Sequence, residues 1–199
     1  MFLLLLLLLA CDEAASPTSA DAVLVPLDAP QLARRLSIDL RGVLPSIAEL
    51  NEVEADSTAL AALRDDWLDG PEFEARLVDM YQESWGTRAD QFRGTYADFD
   101  LPASEEYRFV RAVGEEPLRV AARVVAADLS YTELVTADWT MADELLADVF
   151  PIARPEGDAG WVEAHYTDLR PAAGVLTTNG LWWRYISPIN NFNRGRTAA

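Results

Sequence analysis

The chain has 199 residues, half of them hydrophobic, with 33 acids against 16 bases and a net charge of −17. That length and apolar content give a core of ordinary size and exclude disorder throughout. Every base is arginine, and the acidic balance excludes nucleic-acid binding, which needs a basic face.

Residues 1–10 are Met1, Phe2, seven leucines and Ala10. The run is too short to span a bilayer, but it suits the apolar region of a signal peptide, although the usual positive start is absent. Leu8-Leu9-Ala10-Cys11 resembles a bacterial lipobox, in which cleavage leaves Cys11 as a lipidated first residue. The alternative is a plain export signal with a stray cysteine. Cys11 is the only cysteine, and a lone thiol in an exported chain otherwise needs an intermolecular partner. This predicts an extracytoplasmic, membrane-anchored protein on the periplasmic face of a bacterial inner or outer membrane. Residues 11–27 read as the lipidated cysteine and a flexible tether. Sixteen residues of such coil reach about 20–24 Å.

Residues 28–150 read as a helical domain. Asp28 with Pro30 starts a helix. Leu32, Leu36 and Leu40 form its stripe, continued by Val43 and Leu44. Gly42 is placed to end it in a left-handed residue, with Ile38 and Val43 set for the accompanying apolar contact. Ser46 and Glu49 form a capping box that starts a second helix. Arg35 and Asp39, four apart, read as a surface ion pair. A third helix covers Thr58 to Leu68. Gly70 stops it, and Pro71 starts a fourth that runs to about Trp85. The expected core is Leu36, Leu40, Leu44, Leu63, Trp67, Phe73, Leu77 and Met80. Residues 86–103 show no sustained period and read as a long loop pinned by Phe92, Tyr96 and Phe99. Ser104 opens the next helical segment, Pro117 starts another, and Ser130 with Glu133 caps a third. Thr140 with Asp143 is a weaker start. Residues 151–171 read as irregular, and Ala173 to Leu176 as a short helix or extended piece. The fold class expected is all-α, mainly α: an irregular helical bundle with long loops.

Three stretches carry a family resemblance: RRLSIDLRGVLPSIAEL (Arg34–Leu50), YTELVTADWTMADELLA (Tyr131–Ala147) and AGVLTTNGLWWRYISPINNFNRGR (Ala173–Arg196). They resemble a domain of unknown function found beside planctomycete-type c-type cytochrome domains, in large bacterial lipoproteins. Relatives of that kind continue into a haem-binding C-x-x-C-H region. The resemblance therefore implies that residues 151–199 continue in a longer protein. It also places any haem in a downstream region, since this chain offers no cysteine beyond Cys11. No cofactor is expected in the chain itself.

Candidate chemistry is thin. The only histidine is His165, and Glu163, His165 and Asp168 form an acid–base or metal candidate, set against a surface histidine paired with a carboxylate. No metal site is expected, because neither Asp98 with Asp100 nor Asp65, Asp66 and Asp69 has a recognised calcium spacing. Nucleophile elbow, zincin, P-loop and dinucleotide signatures are all absent. Trp182, Trp183, Arg184, Tyr185, Arg194 and Arg196 mix rings and guanidinium groups in a binding-surface pattern. The last 29 residues hold three arginines and no acid, against −20 for residues 12–170. This asymmetry points to a protein partner or a missing C-terminal region. The leading expectation is a lipid-anchored scaffold or docking unit of a cytochrome-associated assembly, without intrinsic catalysis. The alternatives are an extracytoplasmic hydrolase acting on polysaccharide or peptide with paired carboxylates, and a carbohydrate-binding module.

Overall fold

A computed structural model describes residues 25–92 and 94–184. The fold is mainly helical, as expected, with a small sheet of three strands. Cys11, Tyr185, Arg194 and Arg196 lie outside the described residues, as does most of the tether.

Helix α1 (Ala29–Arg41) starts on a capping box in which Asp28 accepts from the Gln31 amide and Gln31 answers on the Asp28 amide. It ends at Gly42, whose φ of 72° is left-handed and whose N–H reaches the Ile38 carbonyl at 2.9 Å. The second capping box, Ser46 with Glu49, starts α2 (Ile47–Ala55). Helix α3 covers Ala59–Leu68 and α4 covers Pro71–Trp85. The corner is held from inside. Ser37 Oγ donates to the Val43 carbonyl at 2.7 Å, and Arg41 Nη2 donates to the same hydroxyl at 2.8 Å. Glu49 then accepts from Trp67 Nε1 at 2.7 Å, under an Arg41 guanidinium 4.4 Å from the Trp67 ring. Ala33, Val53 and Trp67 are the buried centre of this lobe, with Leu36, Leu40 and Leu63 around them. Two expected core residues are not core. Leu44 is 65% exposed and Met80 is 47% exposed. For Leu44 the reason is local: the left-handed Gly42 turns the chain, so the helical stripe does not continue past it. Ile38 and Val43 likewise face outward.

Helix α5 (Glu106–Ala126) is the axis of the molecule, and twelve of its 21 residues are buried. The expected new start at Pro117 is wrong, because the helix runs straight through it. Proline removes the N–H that would bond the Val113 carbonyl. Tertiary packing accepts that loss here: α8 (Asn179–Arg184) lies so close that a Cβ on Gly180 would be 2.1 Å from the Val113 carbonyl oxygen and 3.0 Å from Pro117 Cδ. Ahead of α5 the long loop is pinned as expected. Phe92 is buried, and the Phe99 ring sits 5.3 Å from both Phe109 and Phe150. Leu77 and Val78 of α4 pack on Leu118 and Ala122 of α5.

Beyond α5 come the short helix α6 (Glu133–Thr136), strand β1 (Thr140–Ala142) and helix α7 (Glu144–Val149). Asp143 caps α7 on the Leu146 amide at 2.9 Å, whereas Thr140 belongs to the strand. The segment expected to be irregular from 151 to 171 contains β2 (Ile152–Ala153) and β3 (Val162–Tyr166). Strand β3 is central and antiparallel to both neighbours, with Met141 opposite Glu163 and Ala153 opposite His165. Sheet and α8 pack on α5, so residues 152–183 contribute side chains to the core.

Candidate functional site

The chemistry of the molecule gathers at two adjacent acids in the middle of α5, Glu115 and Glu116, between Gly114 and Pro117. They enter different environments.

Glu116 is fully buried. Its Oε1 accepts from Thr140 Oγ1 at 2.9 Å and from the Tyr166 hydroxyl in a very short contact. Its Oε2 accepts from the Asn179 amide at 3.0 Å. Asn179 Nδ2 also donates to the Tyr166 oxygen at 3.1 Å. One carboxyl thus ties α5 to β1, to β3 and to the start of α8. Burial pushes the Glu116 carboxyl up to about 7, against the pull of the Tyr166, Thr140 and Asn179 donors and the Arg170 charge. Tyr166 is held far above an ordinary phenol by burial and by the Glu116 charge beside it. The Arg170 guanidinium lies 3.3 Å from the centre of the Tyr166 ring. A small cavity of about 190 Å³ opens over this group, lined by Trp139, Tyr166, Arg170 and Thr177 among others.

Glu115 is buried among arginines. Arg119 grips it through Nε at 3.0 Å and Nη2 at 2.8 Å, and Arg88 Nη2 reaches it at 3.1 Å. Arg111 adds a very short ion pair. Burial alone would raise this carboxyl, but Arg119, Arg111 and Arg88 outweigh it and hold it below the usual range. Arg88 is shared with Asp79 at 2.6 Å, and Arg119 lies 4.7 Å from the Trp161 ring centre. A larger cavity, about 460 Å³, borders Arg88, Tyr107 and Arg111.

The acid–base candidate is dispersed. Glu163 and His165 share the exposed side of β3, but Glu163 faces Arg123 at 4.0 Å. The Nδ1 of His165 bonds the Asp138 carbonyl at 3.1 Å. Asp168 is clamped by Arg170 at 2.7 Å, which holds its carboxyl below the usual range. Among the described residues no group of acids, histidines and cysteines is arranged to hold a metal ion. The ring platform expected at Trp182 and Trp183 is also corrected. Trp183 is inserted among Phe92, Phe99, Phe109 and Phe150, with centroids 5.8–6.2 Å away, because α8 is drawn onto α5. Trp182 is half-buried. Arg184 is exposed and donates to the Gly86 carbonyl at 2.8 Å.

Glu116 was missed by sequence reading although a signal exists. Phe109, Ala112, Val113, Val120 and Val124 mark the buried stripe of α5, and Glu116 falls on it. An acid on a buried stripe announces a paired interior carboxyl.

No family model matches the chain, and no curated protein or solved structure matches it significantly.

Proposed function

We propose that the chain is a lipid-anchored, extracytoplasmic helical module that serves as a scaffold or docking unit of a larger assembly, in keeping with the resemblance to cytochrome-associated lipoproteins. One observation carries the reading: the fully buried Glu116 carboxyl joins four parts of the chain from inside a closed network. That arrangement suits a rigid body better than a reacting centre. A hydrolase with paired carboxylates needs two acids facing one cleft, whereas Glu115 and Glu116 enter separate clusters. No described helix is long and apolar enough to cross a membrane, so attachment falls to Cys11 in this reading.

The test is expression with radiolabelled fatty acid in a bacterial host, followed by fractionation. Label on the wild type, lost in Cys11→Ala together with membrane retention, is the expected result. A wild type that carries no label and fractionates away from membranes overturns the anchor.

A further inference from the structure

We infer that α8 is a proton-controlled latch: a protonated Glu116 holds the helix onto α5, and ionisation of that carboxyl favours a local opening in which the helix comes away. The inference stands on the interior of the fold and does not depend on the lipid anchor.

The carboxyl is fully buried and its hydrogen bonds come from neutral donors, the Thr140 and Tyr166 hydroxyls and the Asn179 amide. The charges around it are otherwise engaged. Arg170 acts on it from over the Tyr166 ring, 3.3 Å from the ring centre, and is itself gripped by Asp168 at 2.7 Å. Glu163 and His165 sit on the exposed side of β3. On α5, Glu115 and Arg119 are paired with each other at 2.8 Å. Strand β1 faces it with Thr140, and α8 with Asn179, while Arg184 at the far end of α8 reaches the Gly86 carbonyl.

A buried carboxyl without an ion pair keeps its proton to higher pH than one in water, because the charged form has lost its hydration. Burial accordingly pushes Glu116 up to about 7. Either hydroxyl can turn to accept the carboxyl proton, so the network closes around the protonated form. The ionised form is a desolvated charge that water would relieve.

Helix α8 is the part of the enclosure that can admit water. Strands β1 and β3 are laddered to each other, with Thr140 opposite Ala164. Helix α8 has six residues, too few to persist unsupported. It is held by the packing of Leu181 and Trp183 and by the Asn179 bonds to Glu116 and Tyr166. The chain leading into it has open space along it, since Pro171, Ala172 and Thr177 border the cavity of about 190 Å³ beside Tyr166. Opening releases the Glu116 proton. The closed state keeps that proton up to about 7, and the open state loses it above the ordinary 4.5, so rising pH favours opening across that window. What it uncovers is Trp183 and the rings of Phe92, Phe99, Phe109 and Phe150.

The test is native-state hydrogen exchange on the full chain at two pH values, in low concentrations of denaturant. The amides of Asn179 and Trp182 report on α8, and those of Val120 and Val124 on α5. After correction for intrinsic exchange, the α8 opening constant should rise about tenfold or more between about pH 5 and about pH 8. It should also exceed that of α5 and ignore low denaturant, the mark of a local opening. Glu116→Gln should abolish the rise, whereas His165→Gln should keep it. An α8 that exchanges only together with α5 at every denaturant concentration overturns the latch. So does an opening constant that is flat with pH, or a rise that survives Glu116→Gln. Should Glu116→Gln not fold, Tyr166→Phe decides alongside the wild type. It removes a donor that favours the carboxylate, so the rise should move to higher pH, and a rise that stays in place overturns the assignment to Glu116.

Discussion

Glu116 makes the stability of this protein fall with pH in a defined window. Its carboxyl is raised from 4.5 to about 7 by burial. Between those values the unfolded chain has lost the proton and the folded chain keeps it, so the folded state binds more protons and stability declines as pH rises. The contribution is complete below 4.5 and gone above about 7. Glu49 acts in the opposite direction and lower. Burial opposes it, but the Ser46 amide, Trp67, the Ser46 hydroxyl and Arg41 prevail and bring it to about 2. Its contribution is present above 4.5 and lost as pH falls toward 2. Chemical denaturation at stepped pH should therefore show a decline from 4.5 to 7 that is absent in Glu116→Gln. A wild type whose stability is flat across that window would refute the assignment. Glu116→Leu should cost about 3 kcal/mol or more, since it strands the Tyr166 and Thr140 hydroxyls and the Asn179 amide in a dry core.

At the scale of the element, α8 is the piece whose attachment is most sensitive to a single atom. It approaches α5 so closely that Gly180 leaves no room for a side chain: an added Cβ would stand 2.1 Å from a backbone oxygen that cannot swing aside. Gly174, with a φ of 51° and a virtual Cβ 2.2 Å from the Leu134 carbonyl oxygen, fixes the turn leading to it. Gly180→Ala should then cost about 3 kcal/mol and release Trp183 from its cage of phenylalanine rings. Its mark would be a red-shifted tryptophan emission and new protease cleavage between residues 172 and 184. Emission and cleavage unchanged from wild type would show that the contact yields without loss. The same close approach puts α8 over Pro117 and over the Val113 carbonyl whose helical N–H partner the proline removes.

At the scale of the whole molecule, two cores of unequal size share one chain. The α1–α3 lobe is centred on three buried residues, Ala33, Val53 and Trp67, whereas α5 alone buries twelve. Helix α4 joins them, packing on α1 and on α5. Local opening follows the amount of buried apolar surface. Native-state hydrogen exchange should find the amides of α1–α3 opening at lower free energy than those of α5 and β3. Trp67→Phe, which also removes the donor to Glu49, should widen the gap. Identical protection in both parts would mean that the molecule opens only as a unit.

The sequence by itself determined what is local. The helix start at Asp28, the capping box at Ser46, the left-handed stop at Gly42, the break between Gly70 and Pro71 and the mainly helical class all depend on groups within four residues of one another, and each is legible there, whereas the capping box expected at Ser130 with Glu133 does not form. Tertiary structure decided what depends on partners far along the chain. Pro117 lies inside α5, where α8, some sixty residues later, packs directly against it. Residues 162–166 become a strand because β1 and β2 bracket them, although Gly157, Gly160 and the nearby prolines suggested a loop. Glu116 is a buried node because Thr140, Tyr166 and Asn179 arrive at it from 24, 50 and 63 residues away. Local hydrogen bonds leave their partners adjacent in the sequence, whereas burial and its consequences for charge are properties of the assembled core.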